Sequence, residues 1–309
     1  MTHAPETAVD EVPEIGEVGL STSRLYQLEL APAVELLEAA AETGCNFIDC
    51  SDVWGFDPRG EADPDERPGF GSAEERLGEV LAQSSSLRDE LFIATKAGAF
   101  PPIPLDSSTE YLIQACDSSL YRLGVERIDL FQIHQPDFLT HPEEVAEALD
   151  RLVASGKVAR VGVCQYNPHQ VAALQAFLDV PLASVSMPFN LLSLGPLIDG
   201  RLDQAMERGM IPLATQPLSG GRLLGELTGK TAAAVEVCVR IASEQGVTLV
   251  AVLLAFLAHH PASVVPIVST TSKMHFLEAA LAESVGLSRQ QWYEIYQAAK
   301  GDAILRGLP

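Results

Sequence analysis

The sequence predicts a (β/α)8 barrel, on three observations. Eight short apolar, β-branched runs recur along the 309 residues, amphipathic helical stretches separate them, and no shift of composition divides the chain. Most of the runs are apolar throughout instead of alternating, the pattern of strands buried on both faces of a parallel sheet. No G-x-G-x-x-G follows the first run, which argues against an open dinucleotide-binding sheet. Eight strand–helix units select closure.

The strand candidates are 17–21, 46–49, 91–95, 128–134, 158–163, 182–186, 211–214 and 264–268. Helical spacing of apolar residues appears at 31–43, where Val34, Leu36, Leu37 and Ala40 share a face, and again at 73–83, Thr109–Leu123 and Pro142–Ala154. Ser72 with Glu75 three residues later reads as a capping box. Gly124, Gly156 and Gly209 stand where helices end, and Asn167-Pro168 where one begins. The stretch 231–259 is long enough for two helices before the last strand, and 288–300 reads as a terminal helix. Residues 1–14, acidic and without the basic and apolar parts of a signal peptide, are expected to be a mobile lead-in to one domain spanning 15–309. The segment 55–71, rich in Pro, Gly and acidic residues, follows the second strand and so overhangs the catalytic face of a barrel; it reads equally as a lid or as a surface loop.

A net charge of −22 argues against nucleic acid and anionic membranes as partners. No apolar run approaches the ~20 residues of a membrane span. Five scattered cysteines without CxxC spacing point to no disulfide framework, no metal site and a reducing cytoplasm. A small molecule is the expected partner; nothing in the sequence speaks to oligomeric state.

Polar residues at the C-terminal ends of barrel strands converge on one mouth. In order these are Asp49, Lys96, His134, Cys164 with Gln165, Ser186, Thr215 with Gln216, and Ser269. Three consecutive strands ending in titratable groups mark a candidate site. Cys164 reads as an apolar filler, and alternation turns Cys50 away from the barrel centre. Asp52 reads as a turn residue or an additional acid. His259 and His260, at a helix end before Pro261, read as surface residues.

The segments FIDCSDVWG (47–55), GSAEERLGEVL (71–81), LFIATKAG (91–98), SSLYRLGVERIDLFQIHQPD (118–137), LVASGKVARVGVCQYNP (152–168) and PLSGGRLL (217–224) resemble the aldo/keto reductase superfamily, in register from about residue 17 onward. The resemblance implies a barrel that holds NADP(H) and four catalytic positions bearing Asp, Tyr, Lys and His. Here those positions are Asp49, Trp54, Lys96 and His134. It implies cofactor contacts at Thr22, at Cys164 and Gln165, at Ser186, at Thr215, Gln216, Pro217 and Leu218, and at Ser269, Thr270 and Lys273. In the family a phenol protonates the carbonyl oxygen while hydride reaches the carbon. An indole N–H donates a hydrogen bond but releases no proton at ordinary pH, and general acid catalysis contributes typically ~10²–10⁴-fold. His134 or Lys96 is then expected to supply the proton.

Three readings follow: an NADP(H)-dependent carbonyl oxidoreductase with an altered proton donor, a lyase or isomerase using Asp49, Lys96 and His134 for proton transfer, or a silent binding protein. Fold alone does not choose among them.

Overall fold

The computed structural model describes residues 15–57, 69–101 and 103–301. The lead-in at 1–14 and most of the acidic loop at 55–71 lie outside the described residues.

Eight parallel strands close into a barrel in sequence order: β1 (Gly19–Ser21), β2 (Phe47–Asp49), β3 (Phe92–Ala97), β4 (Leu130–Ile133), β5 (Val161–Cys164), β6 (Leu182–Pro188), β7 (Ile211–Thr215) and β8 (Val265–Ser269), with β1 paired to both β2 and β8. Among the described residues eleven helices follow the strands or lie among their connections, beginning with α1 (Leu30–Glu42), α2 (Ser72–Gln83), α3 (Leu87–Glu90), α4 (Thr109–Leu123), α5 (Pro142–Ala154), α6 (Pro168–Gln175), α7 (Arg201–Arg208) and α8 (Gly229–Gln245). Then come α9 (Leu249–Ala258), α10 (Lys273–Ala280) and α11 (Arg289–Lys300). The strand ladders differ from the expected runs mostly at their starts. Apolar residues such as Ile128 and Val158 touch only through an isolated bridge there, because the next strand offers no continuous partner. The strand ends reach two residues further than expected in β3 and β6 and one further in β5, β7 and β8.

Strand alternation sets what faces the barrel axis. Phe47, Phe92, Ala94, Leu130, Leu213, Val265 and Ile267 pack together inside, with the Phe47 and Phe92 rings stacked at 5.3 Å. Two residues on from Phe47 is Asp49, two on from Ala94 is Lys96, and four on from Leu130 is His134. The same alternation that fills the interior therefore aims all three groups at the upper mouth. The intervening Ile48, Ile93, Phe131 and Val163 join the larger core between barrel and helices, and Cys50 belongs to it too. Each large apolar side chain buried there contributes ~1.5–3 kcal/mol.

Two buried ion pairs tie the helical shell to the strands. Asp129 accepts from Arg88 at 3.1 Å and from the Ile93 amide at 2.8 Å. Glu74 of α2, wholly buried, takes Arg122 of α4 at 2.7 Å and the Thr95 hydroxyl of β3 at 2.5 Å.

Helix ends follow the expected chemistry with one exception. Asn167 caps α6 through the amides of His169 and Gln170, and Gln170 returns the bond. Gly124 and Gly209 end α4 and α7 with φ of 65° and 67°, a backbone region open to glycine at little cost. Gly246 at φ 67° breaks the stretch before β8 into α8 and α9. The exception is Ser72, which is the first residue of α2 and not its cap. Gly71 holds that place at φ 86°, and the Ser72 hydroxyl donates back to the Gly69 carbonyl at 2.8 Å. The Glu75 amide bonds the Gly71 carbonyl, so no capping box forms. Among the described residues no single helix is long and apolar enough to cross a membrane.

Candidate active site

A cavity of about 950 Å³ opens at the C-terminal mouth of the barrel, lined by Asp49, Trp54, Lys96, His134, Cys164, Gln165, Thr215–Leu218 and Ser269–Thr270 among others. Concave polar sites of this size hold small molecules and cofactors.

At its floor Lys96 Nζ donates to Asp49 Oδ1 at 2.5 Å and to the Cys50 carbonyl at 2.8 Å. Both side chains are about 2% exposed. Burial pushes the Asp49 carboxyl up from its ordinary range; the Lys96 charge opposes this, and so does the Gln132 amide beside it. Two buried charges of this kind persist only because they are paired. The Trp54 ring lies over the same ammonium, with Nζ 4.5 Å from its centroid. Trp54 is anchored by its backbone, whose amide bonds the Ser51 carbonyl and whose carbonyl receives the Ala73 amide of α2. The indole thus stands where the resemblance places a phenol.

His134 follows β4 and is half-buried, its Nδ1 in contact with the Ser51 hydroxyl at 2.9 Å, leaving Nε2 for the cavity. Burial, then the Lys96 charge, pushes the imidazole down to about 3, so the ring is neutral across the physiological range. The linkage has a definite sign. The unfolded ring, near 6.5, binds a proton more readily than the folded one. Stability tied to His134 is therefore complete above about pH 6.5 and lost as pH falls toward 3. Asp52, pushed up by burial and by the nearby Glu74 charge, works in the opposite direction. His134→Gln is expected to weaken the loss of stability between these pH values, read from denaturant midpoints measured across pH.

Three of the residues expected to touch a cofactor do not line the cavity. Ser186 is buried below its floor, donating to Gln132 Oε1 at 2.6 Å. The Thr22 hydroxyl is turned to the Asp49 carbonyl at 3.2 Å. Lys273 is the first residue of α10, outside the lining. Ser269 does border the cavity, bonded to Ser23 at 2.8 Å across the junction of β8 and β1. The Cys164 thiol is pushed up to about 12 by burial, in keeping with a filler and not a nucleophile. Asp52 sits in the turn after β2 and is fully buried there. His259 is exposed and His260 half-buried, its Nδ1 accepting from the Ala262 amide.

Residues that the sequence did not single out complete the cavity, Ser23 and Arg24 after β1 and His275 and Glu278 on α10, together with Ser219–Arg222 of the PLSGGRLL segment after β7. Neither Arg24 nor Arg222 forms an ion pair among the described residues. Gln165, Gln216 and Ser219 have φ of 62°, 52° and 52°, and all three line this cavity. Left-handed backbone at non-glycine residues costs ~1–3 kcal/mol each and gathers at ligand-holding sites. Gly220 and Gly221 continue the turn at φ 65° and 87°.

The model of the aldo/keto reductase family matches residues 16–300. The chain is 43% identical over 274 residues to a protein of Novosphingobium aromaticivorans named 6-dehydroglucose reductase, covering 89% of this chain and 88% of that one. It is 34% identical over 277 residues to a protein of the same name from Agrobacterium fabrum, covering 87% and 88%. An aldo/keto reductase from Klebsiella pneumoniae, solved in complex with NADP and acetate, superposes with a TM-score of 0.74 at 24% identity over 92% and 91% of the two chains. With a closed eight-stranded barrel and an Asp–Lys–His centre at its mouth, this chain belongs to the aldo/keto reductase family and is one of its oxidoreductases.

Proposed function

We propose that the chain is an NADP(H)-dependent carbonyl oxidoreductase acting on a small polyhydroxylated aldehyde or ketone, with His134 supplying the proton that a phenol supplies elsewhere. The observation that carries this is one cavity shared by Asp49, Lys96 and His134 and by Ser269, Thr270, Arg24 and Arg222, the two arginines having no ion pair among the described residues. Cations and hydroxyls in one cleft suit a ligand bearing phosphates. Relatives named 6-dehydroglucose reductase support a sugar carbonyl as substrate.

The residues present fit the cofactor. Cys164, Gln165 and Thr215–Leu218, at the ends of β5 and β7, would hold the nicotinamide; Arg24, Arg222, Ser269 and Thr270 would hold the phosphates. When bound, the reduced nicotinamide supplies hydride to the carbonyl carbon. Everything else falls to the chain itself. The Lys96 ammonium places fixed positive charge at the cavity floor, which stabilises negative charge growing on the carbonyl oxygen. Asp49 keeps that ammonium in place. Nε2 of the neutral His134 donates the proton, since Trp54 can only form a hydrogen bond. The indole over Lys96 shields the ammonium from water and strengthens its field.

Calorimetric titration with NADPH and NADP⁺ tests this reading. Micromolar binding is expected, and Arg222→Ala is expected to weaken NADPH about tenfold through loss of a charge-assisted contact. A protein that takes up no cofactor at millimolar concentration is not a reductase, and its Asp49, Lys96 and His134 then serve acid–base chemistry without net oxidation or reduction.

A further inference from the structure

Behind His134 runs a line of polar groups that the proposed reaction does not yet use. The Ser51 hydroxyl touches His134 Nδ1 at 2.9 Å, nearer than its other partners, the Lys96 carbonyl at 3.3 Å and Asp52 Oδ1 at 3.4 Å. Asp52 Oδ2 in turn meets the Tyr111 hydroxyl at 3.4 Å. Ser51 and Asp52 are fully buried, whereas Tyr111 on α4 is half-exposed and packs edge-on against Phe100. Four groups therefore connect the cavity to the outside of the barrel, between β2 and the helical shell.

We infer that Ser51, Asp52 and Tyr111 form a proton relay that refills His134 from solvent on the side away from the substrate. This rests on the reductase reading above. In the reduction the carbonyl carbon gains hydride from the reduced nicotinamide, and the carbonyl oxygen takes the proton from His134 Nε2. Nδ1 of the same ring takes the Ser51 hydroxyl proton, and Ser51 takes the proton of the Asp52 carboxyl group. The Asp52 carboxylate is reprotonated from solvent through the Tyr111 hydroxyl. The sum is one carbonyl, one reduced cofactor and one solvent proton giving one alcohol and one oxidised cofactor. The ring is left as the Nδ1–H tautomer; once product has left, a water proton entering at Nε2 as the Nδ1 proton returns along the relay to solvent restores it with no net change.

Two features of the surroundings suit the relay. An imidazole that stays neutral cannot simply carry a stored proton into the reaction; it gives one up at Nε2 only as it receives another at Nδ1. The relay needs a protonated Asp52, and burial with the Glu74 carboxylate close by pushes that carboxyl well above the ordinary range, against the opposing Arg122 charge and the bonds from the Val53 amide and Ser51. Glu74 is itself paired with Arg122 at 2.7 Å. The contacts at 3.4 Å are long for hydrogen bonds, as is common before substrate closes a site.

The experiment has two readouts. In cofactor-free protein carrying isotope-labelled histidine, NMR is expected to show His134 as the Nε2–H tautomer, with Ser51→Ala shifting it toward Nδ1–H. In turnover with NADPH and glyceraldehyde, Ser51→Ala and Asp52→Asn are expected to lower kcat by about 10²-fold, the low end for a positioned proton donor, while KM for both reactants holds. Ser51→Thr, which keeps the hydroxyl, is expected to restore most of that rate. An Nδ1–H tautomer in the unaltered protein, or wild-type kcat in both variants, overturns the relay. If the unaltered protein oxidises no NADPH, the reductase reading fails, and the tautomer still decides whether Ser51 feeds the ring.

Discussion

Lys96→Ala is expected to abolish turnover and to cost about 3–5 kcal/mol of stability, the range for removing one partner of a buried pair. The reason is what it leaves behind. Asp49 is about 2% exposed, and burial already drives its carboxyl upward against the opposing ammonium. Without Lys96 the carboxylate must stay charged in a dry site or take up a proton, and the Cys50 carbonyl loses its donor as well. Two measurements separate the effects. Urea unfolding gives the stability loss, and the double variant Asp49→Asn with Lys96→Met is expected to recover most of it, because neither buried charge remains. Turnover recovers in neither, since the field at the carbonyl oxygen is gone. A stable, fully active Lys96→Ala protein would remove this centre from the chemistry altogether.

Trp54→Tyr is expected to raise kcat for aldehyde reduction by about 10²-fold. The backbone at this position is fixed from both sides by Ser51 and Ala73, so the exchange replaces a side chain without moving its root. The Lys96 ammonium, 4.5 Å from the indole centroid, would then lie beside a phenol and favour its ionised form, making it a better acid. Steady-state rates with NADPH and glyceraldehyde read the gain. A phenol also bypasses the relay behind His134. In the Trp54→Tyr background, Asp52→Asn is accordingly expected to lose its effect on kcat, a coupling that a double-mutant comparison measures directly.

The strand periodicity and strand-end chemistry made the central part of the site legible. Asp49, Lys96 and His134 stand two or four residues beyond apolar residues that face the barrel axis, so alternation alone aims them inward. The Asn167 cap, the Gly124 and Gly209 ends and the division of the stretch before β8 rest on equally local rules. Ser72 misled because a serine before a helical face followed by Glu75 fits the capping-box spacing, while the positive φ that Gly71 alone tolerates decided where the helix begins. Thr22, Ser186 and Lys273 stand near the expected strand ends and helix start, yet a few ångströms of depth or one turn of direction take them out of the cavity lining.

Taken alone, the amino-acid order determined the barrel, its strand sequence and the convergence of a carboxylate, an ammonium and an imidazole at one mouth, because these follow from repeats of two and of about 3.6 residues. Only the closed structure brought Arg24 and Arg222 to the same cleft and set the indole over Lys96. It also buried Asp52 against Ser51, Glu74 and Tyr111. Those contacts join residues far apart in the chain, and no local period encodes a distance that exists only once β8 has paired with β1.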